Sequence, residues 1–171
     1  MISVVLPVLR EEPALVDTLA VLVSGVAQGL VRDVVIAAVD PSPLTERIAD
    51  SGGCVLLRAR GDRAALVLAG LAQARSAAGM VLEPGLVPGG DWIAEVADFF
   101  DGPDSETRTA VFRLAARAGA GAAFRASLVN MAAAFGRPDP RLGMMGRISL
   151  LRDGAPISRL ASPIHDRRGR R

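Results

Sequence analysis

The groups in this sequence that could do chemistry are carboxylates and arginines placed just beyond short apolar runs. Arg10 and Glu11 follow the run 2–8, in which Pro7 is embedded; Asp40 closes the run 33–40; Arg60 and Arg63 follow 54–57; Glu83 follows 80–82. A carboxylate offers oxygen ligands to a hard cation such as Mg²⁺ or Mn²⁺, and a guanidinium grips a phosphate through two parallel hydrogen bonds. Acid and base recurring after successive apolar runs therefore suit a phosphorylated ligand. The plainer alternatives stay open: Arg10, Arg60 and Arg63 as solvated loop arginines, Glu11 as a helix-start charge, and Asp40 as a strand-end turn residue.

Other reactive groups are scarce. Cys54 is the only cysteine, which excludes an internal disulfide framework and a cysteine-based zinc cluster. His165 is the only histidine and stands near the end of the sequence, so no Ser-His-Asp arrangement can be argued. Asp139 is a candidate general base, though Pro138 and Pro140 around it read as a turn. Gly119-Ala120-Gly121 falls within an Ala-rich helical stretch, where a dinucleotide fingerprint would follow a strand.

Elements that would position these groups can be read from the pattern. Runs 2–8, 33–40, 54–57 and 80–82 are apolar without alternation, as strands buried on both faces are. Helices are expected over 14–30, 45–50, 64–78 and 91–100, with 83–90 a loop rich in Gly and Pro. This alternation implies an α/β fold, a three-layer sandwich around a mostly parallel sheet, which binds ligands beyond the carboxyl ends of its strands. Further on, 107–135 is expected as an amphipathic, Arg-bearing helix, 136–147 as a loop and 148–151 as a strand. One domain over 1–160 and a basic tail over 161–171, mobile at its end, complete the expectation.

Composition narrows the function classes. The chain has 171 residues, half of them hydrophobic, enough for one sizeable core. It has no Tyr and no Lys, and all 20 basic residues are Arg, a bias typical of GC-rich bacterial genomes. Residues 1–106 carry 7 Arg and 15 acids, whereas 107–171 carry 13 Arg and 3 acids. Such asymmetry marks either two halves that neutralise each other in one fold or a basic surface for phosphates or anionic lipid. With aromatics at 4%, nucleic acid is not an expected partner, because stacking platforms are missing. No secretory signal or spanning segment is evident, which suggests a cytoplasmic protein.

Several segments together resemble the family 2 glycosyltransferases. Ser3-Val4-Val5-Leu6-Pro7-Val8-Leu9-Arg10-Glu11-Glu12 looks like the family's first strand and its Pro-x-x-Asn-Glu-Glu turn, with Arg10 in place of Asn. Residues 60–70, beginning Arg60-Gly61-Asp62-Arg63, resemble its Arg-Gly-x-x-x-Gln-x-Asn-x-Gly segment, with Leu68 for the Asn. Residues 88–92 resemble Pro-Pro-x-Trp, and 139–152 a later segment that precedes a strand and Arg. The resemblance implies a GT-A fold of the nucleotide-diphospho-sugar transferase type and a nucleotide-sugar ligand. It places Pro7, Arg10, Glu11, Asp40, Arg63 and Glu83 around that ligand.

The departures concern the metal. Where the family carries an acidic cluster after the second strand, this sequence has Asp40-Pro41-Ser42-Pro43; where the family has Asp-x-Asp after the fourth, it has Leu82-Glu83-Pro84-Gly85. The usual ligands of Mg²⁺ or Mn²⁺ are therefore missing, and no metal ligand is assigned. The expectation is a protein related to sugar transferases that has lost the acidic motif. The alternative is a catalytically inactive descendant that serves as a binding or assembly partner, for example as a homodimer or on an anionic membrane surface. A nucleotidyltransferase ranks behind both, since no Gly-rich basic loop follows the first strand.

Overall fold

The computed structural model describes residues 1–10, 13–116, 120–137 and 139–168. Strand β1 (Ile2–Val8) lies inside the sheet with all seven residues buried. It pairs in parallel with β2 (Val31–Ala38) on one side and β4 (Ala78–Val81) on the other, and β2 pairs in parallel with β3 (Val55–Arg58). Pro7 sits within β1 without cost. Val5 O accepts from Leu82 N and Val8 O from Val39 N, so odd-numbered residues of β1 face β4 and even-numbered ones β2. The paired stretch toward β4 ends at Val5, so Pro7 removes no bond from either ladder.

The remaining strands are β5 (Leu86–Pro88), β6 (Thr109–Leu114), β7 (Met144–Arg147) and β8 (Ile157–Asp166). The sheet order is β3-β2-β1-β4-β7-β6-β8-β5. β7 runs antiparallel to β4 and to β6, β8 runs parallel to β6, and β5 runs antiparallel to β8. β1, β2, β3, β4, β6 and β8 consequently point the same way, and their carboxyl ends share one edge.

Helices cover both faces. Ile2, Val4, Leu6 and Val8 belong to a large core with Leu15 and Leu22 of α1 (Leu15–Ala27), Ala49 of α2 (Pro43–Ser51) and Trp92, Val96 and Phe99 of α4 (Trp92–Asp101). Val5 points the other way, into a smaller core with Leu71 of α3 (Arg63–Gln73), Val81, and Leu151 of α6 (Ile148–Asp153). The three layers expected from the sequence are present. Ser3 ties two of them together: its buried Oγ donates to Asp33 Oδ1 at 2.6 Å and accepts from Arg75 N and Ser76 N at the end of α3.

The second half departs from expectation. Residues 109–114 form strand β6, and the helix, α5 (Ala120–Ala134), starts only afterwards. The expected Arg-bearing helix over 107–135 is thereby corrected in its first part: Arg113 is in a strand, and Arg108 bonds Ser158 Oγ and Ile157 O of β8. β7 lies within the expected loop 136–147, and 148–151 is helical, as α6. The expected tail also fails, because β8 runs to Asp166 between β6 and β5. Its residues Leu160, Ser162 and Ile164 are buried by alternation, a period-2 signal masked by the exposed Arg159 and His165. β5 likewise occupies part of the expected 83–90 loop.

Part of the charge asymmetry is met within the fold. Arg147 pairs with Glu106, Arg108 with Asp104 at 3.8 Å and Arg167 with Asp17 at 3.9 Å, each joining the basic half to the acidic one. Among the described residues no helix is long and apolar enough to cross a membrane.

Trp92 sets the spacing of α1 and α4. A Cβ on Gly25 would lie 2.8 Å from both Trp92 Cη2 and Val31 Cγ2, closer than packed atoms come. Gly25→Ala should therefore destabilise the protein by about 1–3 kcal/mol, outweighing the ~1 kcal/mol that alanine gains in a helix. Chemical denaturation checks this; an unchanged or raised midpoint would show that Trp92 can shift.

Candidate functional site

The common edge collects the sequence-predicted residues in spatial order. Arg60 follows β3, Asp40 follows β2, Arg10 follows β1 and Glu83 follows β4, with Arg63 at the start of α3. Glu11 lies outside the described residues. Arg10, Asp40 and Arg60 are exposed, while Pro7 is buried in the sheet below them. Asp40 has φ 51°, the left-handed turn conformation that Asp tolerates, in keeping with its role at a strand end.

Glu83 and Arg63 are brought into direct contact. Arg63 Nε donates to Glu83 Oε1, and their side chains are 37% and 14% exposed. Both partners are placed by local chemistry. Asp62 caps α3 by accepting from Ala65 N at 3.0 Å, which makes Arg63 the first helical residue. Glu83 begins a tight turn closed by Leu86 N to Glu83 O, with Pro84 second and Gly85 third at φ +85°, the pattern of a type II turn.

That turn is held from two sides. Thr18 of α1, fully buried, accepts from Gly85 N at 2.8 Å and donates to Leu86 O at 3.0 Å. Arg167 N donates to Gly85 O at 2.8 Å, so the segment after β8 closes over the same turn. A Cβ on Gly85 would meet Arg168 Cγ at 2.6 Å and Ala14 Cβ at 3.0 Å, which demands glycine there on steric grounds as well.

A second cluster of charges stands farther along the edge. Asp139 accepts from Arg141 Nε at 2.9 Å, from its Nη2 at 2.8 Å and from its backbone N–H at 2.8 Å. Asp166 holds Arg168 in the same forked manner. Arg141 and Asp166, with Leu114, Ala115, Ala122, Arg125 and Ala126, line a cavity of about 250 Å³ at the carboxyl ends of β6 and β8.

The Arg141 side-chain hydrogen bonds hold the Asp139 carboxyl below its ordinary value of 3.8, against a smaller opposing effect of burial. An acid so depressed is a weak base, so Asp139 serves the turn rather than proton abstraction. His165, exposed in β8 opposite Val87, lies against Gly89. Sequence reasoning missed Arg125, Arg141, Asp166 and Arg168. The Asp-x-Arg spacing of 139–141 and 166–168 was the available signal, but the strands that bring the two motifs together were not recognised.

These donors do not fit a divalent cation. Among the described residues no three His, Cys, Asp or Glu side chains converge, and the one sheltered carboxylate of the strand-end turn is already engaged by Arg63. Mg²⁺ and Mn²⁺ favour several oxygen ligands, which one engaged carboxylate does not supply.

The architecture is a GT-A-type fold. The whole chain superposes on crystal structures of glucosyl-3-phosphoglycerate synthase from Mycobacterium tuberculosis. In the complex with Mn²⁺, uridine diphosphate and glucosyl-3-phosphoglycerate the TM-score is 0.69 at 15% identity, over 100% of this chain and 72% of that one. For the phosphoglyceric acid complex the values are 0.68 and 16% with the same coverage, and for the Mn²⁺ and UDP-glucose complex 0.67 and 15%, over 100% and 71%. At this identity the likeness establishes the fold. No family model matches the sequence. No curated protein matches it either.

Two outcomes follow. Thr18→Val should cost about 1–3 kcal/mol, since it strands the buried Gly85 N–H and Leu86 carbonyl together; denaturant titration reads it, and an unchanged midpoint would remove Thr18 as the anchor. Asp139→Asn should lower stability near neutral pH. A carboxyl with a depressed folded-state pKa stabilises the fold above its ordinary 3.8 and loses that contribution as pH falls through the depressed value. The gap between the variant and the parent should therefore close on acidification; a gap independent of pH would assign the effect to something other than charge.

Proposed function

We propose that the protein binds a nucleotide-diphosphate sugar across the carboxyl edge of β1–β4 and transfers the sugar without a divalent metal. The observation that carries this reading is the Arg63–Glu83 pair at the end of β4. In this reading the guanidinium N–H groups that Glu83 leaves free donate to a leaving diphosphate from a fixed position. Electrostatic stabilisation of that kind requires only that the charge be pre-positioned, and Asp62 and the locked turn pre-position it. Arg63 still exposes part of its fork, and Arg10 and Arg60 add exposed positive charge along the same edge. Asp40 is assigned to the ribose or base, with Pro7 as the floor.

The comparison protein holds UDP-glucose and Mn²⁺ in one complex and phosphoglyceric acid in another. By analogy, the cavity bearing Arg125 and Arg141 suits an acceptor carrying a carboxylate or phosphate. A second reading, binding without turnover, is favoured by the same geometry, because Glu83, the sheltered carboxylate of this edge, is engaged by Arg63.

The test is a thermal-shift series with UDP-, GDP- and dTDP-sugars, each with and without Mn²⁺. Ligand at about 100 times its dissociation constant should stabilise the fold by roughly 2.7 kcal/mol. The shift is expected with one nucleotide, unchanged by Mn²⁺ and lost in Arg63→Ala. A shift that requires Mn²⁺ would overturn the arginine assignment, and no shift with any nucleotide sugar would overturn the function. Sugar release or transfer by the same sample separates turnover from binding alone.

A further inference from the structure

Helix α5 is apolar on two opposite faces. Its inner face is fixed against β6: Asn130 accepts from Leu114 N at 2.8 Å and donates to Leu114 O at 3.1 Å, while Ala126 and Ala133 are buried. Diametrically opposite stand Phe124, Leu128 and Met131, continued by Phe135 in the turn just after the helix, exposed by 65%, 42%, 52% and 78%. A helix apolar all round is normally covered on all sides, and large exposed apolar patches mark interaction surfaces. Here no described residue covers the outer stripe.

We propose that this stripe is the interface of a homodimer, in which α5 pairs antiparallel with α5 of a second copy about a two-fold axis. Three observations select this occupant. First, the spacing is 4-3-4, the seam of two packed helices, and it reads the same in both directions. A two-fold axis midway along it sets Phe124 against the partner's Phe135 and Leu128 against the partner's Met131, the self-complementarity that an isologous contact needs.

Second, the charge suits a protein surface better than a lipid one. α5 contains no acid and one arginine, Arg125, whereas helices that lie on anionic membranes carry several basic residues beside the apolar stripe. In the antiparallel register the two Arg125 side chains lie opposite Ala134, separated along the axis by about 13 Å, so they do not oppose each other.

Third, the area is sufficient. The exposed parts of the four side chains amount to roughly 450 Å² per copy at about 200 Å² per large side chain. Two copies, with the small residues flanking the seam, approach the roughly 1,200 Å² at which specific interfaces begin. The dimer is accordingly weak, forming at micromolar concentrations. The other apolar depression, between α1 and α2 and lined by Val16, Leu19, Val23 and Leu44, would give a head-to-tail contact if it received α5, and hence open chains in place of closed dimers.

The experiment is sedimentation equilibrium of the full chain up to roughly 100 µM, a range that reports micromolar association. The expected result is a monomer–dimer equilibrium. Leu128→Arg and, separately, Met131→Arg should weaken it at least 100-fold with circular dichroism unchanged, while Val23→Arg should leave it intact. In a Cys54→Ser background, chains carrying Phe124→Cys mixed with chains carrying Phe135→Cys should form a disulfide on oxidation. Phe124→Cys alone should not, because antiparallel pairing sets its two copies about 16 Å apart. A monomeric parent, larger open assemblies, a dimer that survives both arginine substitutions, loss of the dimer in Val23→Arg, or efficient cross-linking of Phe124→Cys to itself would each overturn the proposal. So would flotation of the monomer with phosphatidylserine vesicles that depends on Leu128, which would make the stripe a membrane contact.

Discussion

Parallel pairing on both sides of β1 constrains everything else in this molecule. Two parallel neighbours require crossover connections, and the crossovers are helices that must pack on the sheet. The strand is therefore buried on both faces: Ile2, Val4, Leu6 and Val8 in one core, Val5 in the other. Because β2, β3 and β4 share its direction, every loop that leaves a strand at its carboxyl end opens on one edge. Chemical groups then gather there without any one of them being placed by a long-range contact of its own. Pro7 fits the same logic, standing where the ladder to β4 has already ended.

Within that edge, rigidity is unequally distributed. The turn after β4 is bound by Thr18, by the backbone of Arg167 and by the Arg63–Glu83 pair, so its geometry is over-determined. Arg10, Asp40 and Arg60 are exposed beyond their strand ends. A ligand meeting this edge would find one fixed charged element and several adaptable ones. A fixed charge stabilises a transition state more than a ground state only if it does not have to be oriented during the reaction. Sealing Glu83 with Arg63 keeps a half-buried carboxylate neutralised, at the expense of its use as a metal ligand or base.

Apart from β5, the first hundred residues were legible because there local and tertiary signals agree. Unalternated apolar runs mean strands buried twice, and Gly and Pro mark the gaps, whereas the caps Ser42 and Asp62 are identified only by the structure. The rest was misread where tertiary context overrides local preference. Residues 109–114, TAVFRL, neighbour an Ala-rich helix and carry arginine, so helical spacing seemed continuous, yet β7 and β8 supply pairing edges that only the folded chain reveals. β8 was hidden because half of its residues face solvent. The candidate residues after β1–β4 were found for the same reason as their strands, whereas Arg141 and Asp166 were missed along with theirs. The Arg63–Glu83 contact joins residues 20 apart in sequence, and no local pattern announces it.

The charge asymmetry takes on a different meaning once the pairs are traced. Arg147, Arg108 and Arg167 are neutralised by acids from the other half, and Arg141 and Arg168 by acids two residues away. Five of the 13 arginines of residues 107–171 are thus engaged by acids, which reduces the excess of 10 positive charges that the sequence shows there. What remains near the edge is local: Arg125 at the cavity mouth, on the flank of the apolar stripe of α5. The helix that walls the cavity is also the helix that presents the stripe. Anything that covers its outer face would restrict its motion, and therefore the shape of the cavity, through Ala122, Arg125 and Ala126. α5 is held to β6 by Asn130 and to the core by Ala126, Val129 and Ala133, so a contact on its outer face bears on the same helix whose inner side walls the cavity.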